Sequence, residues 1–128
     1  MSVTPKSIVH LRPDTIGDLI IFSSALRALL QLWPDARHTL VVRPGYDALA
    51  PLFPTEVEWV VADLNPFSKK PKEVRPAFEA LINNLEAREP DLIIASTLNR
   101  TWLESAVASR FTGARRVVLG SPEVDPIF

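Results

Sequence analysis

Apolar residues fall into five short runs, separated by longer stretches with helical periodicity. The runs predict strands over Ser7–Arg12, His38–Arg43, Glu58–Ala62, Asp91–Ala95 and Arg115–Leu119. Their Val, Ile and Leu content suits strands buried on both faces. Between the first two strands, Leu19, Phe22, Leu26, Leu29, Leu30 and Trp33 form an apolar stripe, with Arg27 and Gln31 toward water. That spacing predicts a helix over Gly17–Trp33. A second stripe, Val74, Ala77, Phe78, Leu81, Ile82 and Leu85, predicts a helix over Lys72–Arg88. Pro76 is expected in its first turn, where a missing N–H costs nothing. A third helix is expected from Thr101, with Glu104 completing a capping box. Gly113 suits a left-handed residue past its end. A short helix is expected near Tyr46–Leu52.

Strand and helix patterns alternate throughout, which defines an α/β fold. Right-handed crossovers between parallel strands then give a doubly wound, Rossmann-like, five-stranded sheet in the order 3-2-1-4-5, with residues 1–128 as a single domain. The length of 128 residues is enough for a real core. A net charge of −1 gives no electrostatic case for nucleic acid. The chain has no cysteine, which removes disulfides, thiolate metal sites and Cys nucleophiles. With only His10 and His38 as histidines, no metal centre or cofactor is expected. His10 reads as a hydrogen-bonded core residue. No signal peptide or apolar run of spanning length is evident, so the cytoplasm is the expected compartment.

The most informative segment is Arg12-Pro13-Asp14-Thr15-Ile16-Gly17-Asp18, which joins the first strand to the first helix. In open parallel sheets, ligands bind beyond the carboxyl ends of the strands. This turn lies at that edge. Asp18 falls in the first helical turn, where unpaired backbone N–H groups favour an anion. It can close a capping box on Thr15 or take up a proton from a ligand, and the two roles are compatible. Asp14 suits a turn after proline and also lies at the ligand edge. Gly17 is expected to supply an unusual φ or a close backbone approach. Arg12, Arg43 and Arg100 each follow a strand, and the expected order makes those strands neighbours. Together they would form an anion site, or each pairs with a nearby acid or reaches solvent. Ser96, Thr97 and Asn99 share the edge as hydrogen-bonding groups for sugar hydroxyls or for the turn itself.

These pieces resemble the amino-terminal half of the lipopolysaccharide heptosyltransferases, family 9 glycosyltransferases of the two-domain GT-B architecture. The resemblance runs through Ile8–Leu11, Arg12–Leu19, Ala25–Leu29, Trp33–Ala36, Leu40–Pro44, Pro90–Ile94 and Phe111–Val117, in the family's order. It implies an inverting transfer of heptose, or a related sugar, from an ADP-sugar to a lipopolysaccharide-type or other glycan acceptor. Asp18 aligns with the aspartate taken as general base. The basic cluster Lys69, Lys70, Lys72 and Arg75 reads either as a solvated loop and helix entry or as a docking site for a phosphorylated, lipid-linked acceptor; by the same resemblance it corresponds to the region that receives an anionic glycolipid acceptor, which implies work at the inner face of the membrane. The nucleotide-sugar domain of the family has no counterpart in these residues, so the chain is expected to be part of a larger enzyme and inactive alone.

Other α/β readings fare worse. The first turn lacks G-x-G-x-x-G, and four glycines in all leave no phosphate loop. A receiver domain would need an acid pair after the first strand and a lysine after the fifth. The remaining alternative is a non-catalytic module for sugar nucleotides or anions, or an inactive truncated domain.

Overall fold

The computed structural model describes residues 4–13, 16–96 and 101–118. The strands are β1 (Ser7–Leu11), β2 (Arg37–Val42), β3 (Val57–Val61), β4 (Leu92–Ala95) and β5 (Arg115–Val118). All neighbouring pairs are parallel, in the order β3-β2-β1-β4-β5. The expected topology is therefore the observed one. The helices are α1 (Ile16–Leu32), α2 (Pro71–Glu86) and α3 (Trp102–Arg110), with a 3-10 helix at Tyr46–Leu52.

Several strands end one residue before their expected limit. Arg12 and Ala62 still donate backbone bonds to Val41 and Val42, at 3.0 and 2.9 Å, but the chain turns away after that single rung. At the opposite edge the Asp91 carboxylate accepts the N–H groups of Lys6 and Ser7, closing the start of β1 against β4.

Both faces of the sheet are covered, which is why β1 is buried along its whole length. On one face, Leu19, Phe22 and Leu26 of α1 meet Leu40, Val42 and Val57, with Phe53 beside them. On the other, α2 and α3 bury Phe78, Ile82, Leu85, Leu103 and Val107 against Val9, Leu11, Val41 and Ile93. The stripe of α1 is narrower than its sequence suggests. Leu29, Leu30 and Trp33 are only half-buried.

Three local expectations are corrected. Helix α2 begins at Pro71, so Pro76 lies in its second turn rather than its first. The carbonyl it leaves unbonded, that of Lys72, belongs to an exposed residue that water can reach. Gly113 is not left-handed; α3 closes on Phe111, whose N–H bonds the Ala108 carbonyl. The left-handed residue after a helix is instead Glu89, at φ 49°, just beyond α2. A side chain there carries Cβ strain that glycine lacks. Glu89→Gly should therefore raise stability by about 0.5–1 kcal/mol, less than the full strain because glycine also loosens the unfolded chain. Thermal melts of the two proteins check this, and an unchanged or lower melting temperature would show that the turn is unstrained.

Candidate functional site

Leu11 is in register with both Val41 and Ala95, so β1, β2 and β4 end at one level. Arg12, Arg43 and Ser96 follow directly. The amino ends of α1 and α3 open onto the same edge. Thr101 caps α3: its hydroxyl accepts the Leu103 N–H at 3.2 Å and donates to the Glu104 carboxylate at 2.7 Å. The capping pair foreseen in the sequence is present, and Glu104 is fully buried within it.

Arg12 turns inward and is 7% exposed. Its Nη1 donates to Ser96 Oγ at 3.0 Å and its Nη2 to the Asp18 carbonyl at 3.1 Å. The guanidinium carbon lies 4.7 Å from the centre of the Phe22 ring. A buried cation needs such partners to offset lost hydration. Arg12 thus ties the end of β1 to the first turn of α1 and to the end of β4. It braces the main chain of Asp18, an exposed residue in the first turn of α1.

Gly17, next to Asp18, departs from expectation. Among the described glycines only Gly45 has a positive φ, at 88°. A Cβ added to Gly17 would meet nothing within 4 Å. Neither backbone strain nor packing within the chain calls for glycine there. Its surface is open to whatever approaches Asp18.

Arg43 behaves differently from Arg12. It is half-buried, with its guanidinium carbon 5.6 Å from the Phe67 ring centre and 6.0 Å from that of Tyr46. Tyr46 is brought back by a tight turn through Gly45, in which the Tyr46 N–H donates to the Arg43 carbonyl at 3.2 Å. Phe67 comes from the connection after β3. There its N–H donates to Asn65 Oδ1 at 2.9 Å. Lys69, Lys70 and Lys72 are exposed in the same connection and the start of α2, and Lys70 lies 3.8 Å from Glu73. Asp14, Thr97, Asn99 and Arg100 fall outside the described residues.

Two features escaped the sequence reading. The aromatic neighbours of Arg43 are one. The other is a buried bond chain running from β1 to the end of α1. His10 Nε2 lies 3.1 Å from His38 Nδ1, and His38 Nε2 lies 3.0 Å from the Trp33 carbonyl. A carbonyl only accepts, so His38 carries its proton on Nε2. His38 Nδ1 then accepts the Nε2–H of His10. Burial, and secondarily His38, push the His10 pKa down from 6.5 to about 3. The expected core role of His10 is observed. Among the described residues, no group of three His, Asp or Glu side chains could share a metal ion.

Two shallow grooves lie away from this edge. One, of about 370 Å³, runs between Arg27, Leu30, Pro34 and Pro54; the other, of about 280 Å³, lies beside Pro90 and Gly113. Both are at the amino ends of the strands. No helix among the described residues is long and apolar enough to cross a membrane.

No protein-family model matches the chain, and no curated protein matches it. Among solved structures, it is similar to the glycosyl transferase family 9 protein from Veillonella parvula DSM 2008, with a TM-score of 0.68 and 18% identity. The match covers 94% of this chain and 34% of that one. At this identity the likeness is one of fold, and the chain shares the fold of 34% of a family 9 glycosyl transferase.

Proposed function

We propose that the chain is the acceptor-side domain of an inverting glycosyltransferase, with Asp18 as general base. In the reaction, an acceptor hydroxyl attacks the anomeric carbon of an ADP-sugar, heptose or a relative. The new C–O bond forms as the bond to the diphosphate breaks. ADP leaves with the electron pair, and the hydroxyl proton passes to the Asp18 carboxylate. The observation that carries this reading is the brace from Arg12 to the Asp18 carbonyl. It fixes the main chain of Asp18, an exposed residue at the start of α1, beside the open surface of Gly17. The fold likeness supports the glycosyltransferase part of this reading. Arg43, with Lys69, Lys70 and Lys72, supplies positive charge for an anionic glycolipid or glycan. Asp14, Thr97, Asn99 and Arg100 are assigned to the same edge by their places in the sequence. A lipid-linked acceptor would bring the protein to the inner membrane surface, and a second α/β domain would hold the ADP-sugar.

Calorimetry on the 128-residue chain tests this division of labour. The deacylated glycan of a lipid A-type acceptor should bind, more weakly at higher salt. ADP-heptose should neither bind nor be turned over. Transfer by the chain alone would overturn the two-domain reading, and absence of acceptor binding would overturn the acceptor-side assignment.

A further inference from the structure

Arg43 is held in an unusual way. Among the described residues, no carboxylate and no hydrogen-bond acceptor meets its guanidinium; only the faces of Phe67 and Tyr46 do. An aromatic face steadies a cation but leaves its N–H donors unused. Those donors lie in the plane of the guanidinium, where they match the two oxygens of a carboxylate or phosphate. Phe67 has a spare surface as well. Arg43 lies over one face of the ring, yet the residue remains 56% exposed. More than half of the residue is thus open to a ligand beside Arg43. A large apolar side chain held out of the core forgoes the stabilisation of burial. It is not a loose end either, because the Asn65 turn fixes its backbone.

We propose that Arg43 and Phe67 form a subsite for one acidic sugar unit, with Phe67 stacking on the apolar C–H face of the ring and Arg43 binding an oxyanion carried by the same unit. The proposal rests on the acceptor-side reading and adds a specificity element to it. Lys69 and Lys70, on the same connection, contribute field without selecting ring from ring. Phe67 reads the sugar, Arg43 reads its charge, and an acceptor lacking either is discriminated against.

Affinities of the 128-residue chain for glucuronate, glucose 6-phosphate, methyl glucoside and inorganic phosphate test this, with Phe67→Ala and Arg43→Lys as variants. Glucuronate and glucose 6-phosphate should both bind better than methyl glucoside and better than phosphate, and their ratio tells carboxylate from phosphate recognition. Phe67→Ala should lower affinity for the acidic sugars about tenfold and affect phosphate less. Arg43→Lys keeps the charge but loses the planar fork, and should narrow the gap between acidic and neutral sugars. Melting temperatures should change little for Phe67→Ala, because the ring is exposed. Equal losses for sugars and phosphate in Phe67→Ala would overturn the stacking role. Acidic sugars binding no better than phosphate would overturn the subsite. Should the lipid A-type glycan still bind, and bind both variants as it binds the parent chain, only this subsite falls; should it not bind at all, the acceptor-side reading falls with it.

Discussion

Replacing Asp18 with asparagine should lower turnover by roughly 10²–10⁴, the range for loss of a general base, in a protein that joins these residues to a donor-binding domain. The fold should survive. The brace from Arg12 reaches the main-chain carbonyl of Asp18, which the substitution leaves in place. Asparagine also keeps a side-chain oxygen at the start of α1. Stability should therefore shift by less than about 1 kcal/mol, the size of a cap effect. Affinity for the ADP-sugar should change little, because the other domain holds it. Melting temperature, donor affinity and turnover measured on one preparation separate the two readings of Asp18. Near-normal turnover with a clear loss of melting temperature would make it a cap alone, and Asp14 would become the next carboxylate to test.

The architecture was largely legible because it depends on patterns that one chain displays by itself. Runs such as Ile8–Leu11 and Leu92–Ala95 need both faces covered, and the helical stripes supply the cover. Right-handed crossovers then leave few orders for five strands. The site was legible only as an edge. That Arg12 and Arg43 both follow strands is a matter of sequence, but their opposite behaviour depends on partners elsewhere in the chain. Arg12 turns in because Ser96, Phe22 and the Asp18 carbonyl satisfy it. Arg43 stays at the surface beside Phe67, which belongs to a different connection and is brought near by the pairing of β2 with β3. No spacing rule links positions 43 and 67. Gly17 misled for a related reason. A glycine in a strand-to-helix turn invites a conformational explanation, yet its backbone is helical and a side chain added there would meet nothing within 4 Å.

The largest stability effect should come from His10 in acid. Its folded-state pKa is about 3, against an ordinary 6.5. Between those values the unfolded chain takes up a proton that the folded chain refuses, so stability is full above pH 6.5 and falls as the pH drops. The slope is about 1.4 kcal/mol per pH unit once the unfolded histidine is charged. Across the window the loss reaches about 4–5 kcal/mol, a large share of the roughly 5–15 kcal/mol that holds a domain together. The carboxylates of Glu58 and Glu79, depressed by Arg37 and Arg110, add to acid sensitivity in the same direction, but only below about their ordinary 4.5. The interval from pH 6.5 to 5 is thus the one in which to look for His10. His10→Leu provides the comparison. It removes the titrating ring and leaves His38 Nδ1 without its donor, a cost of about 1–3 kcal/mol at pH 7. The variant should nevertheless lose less stability than the parent chain as the pH is lowered, so that the two curves converge and then cross. Urea unfolding at half-unit steps of pH gives both curves. A stability difference that stays constant from pH 6.5 to 5 would mean that His10 gains its proton as easily in the folded protein as in the unfolded chain, and that the buried pair with His38 tolerates a charge.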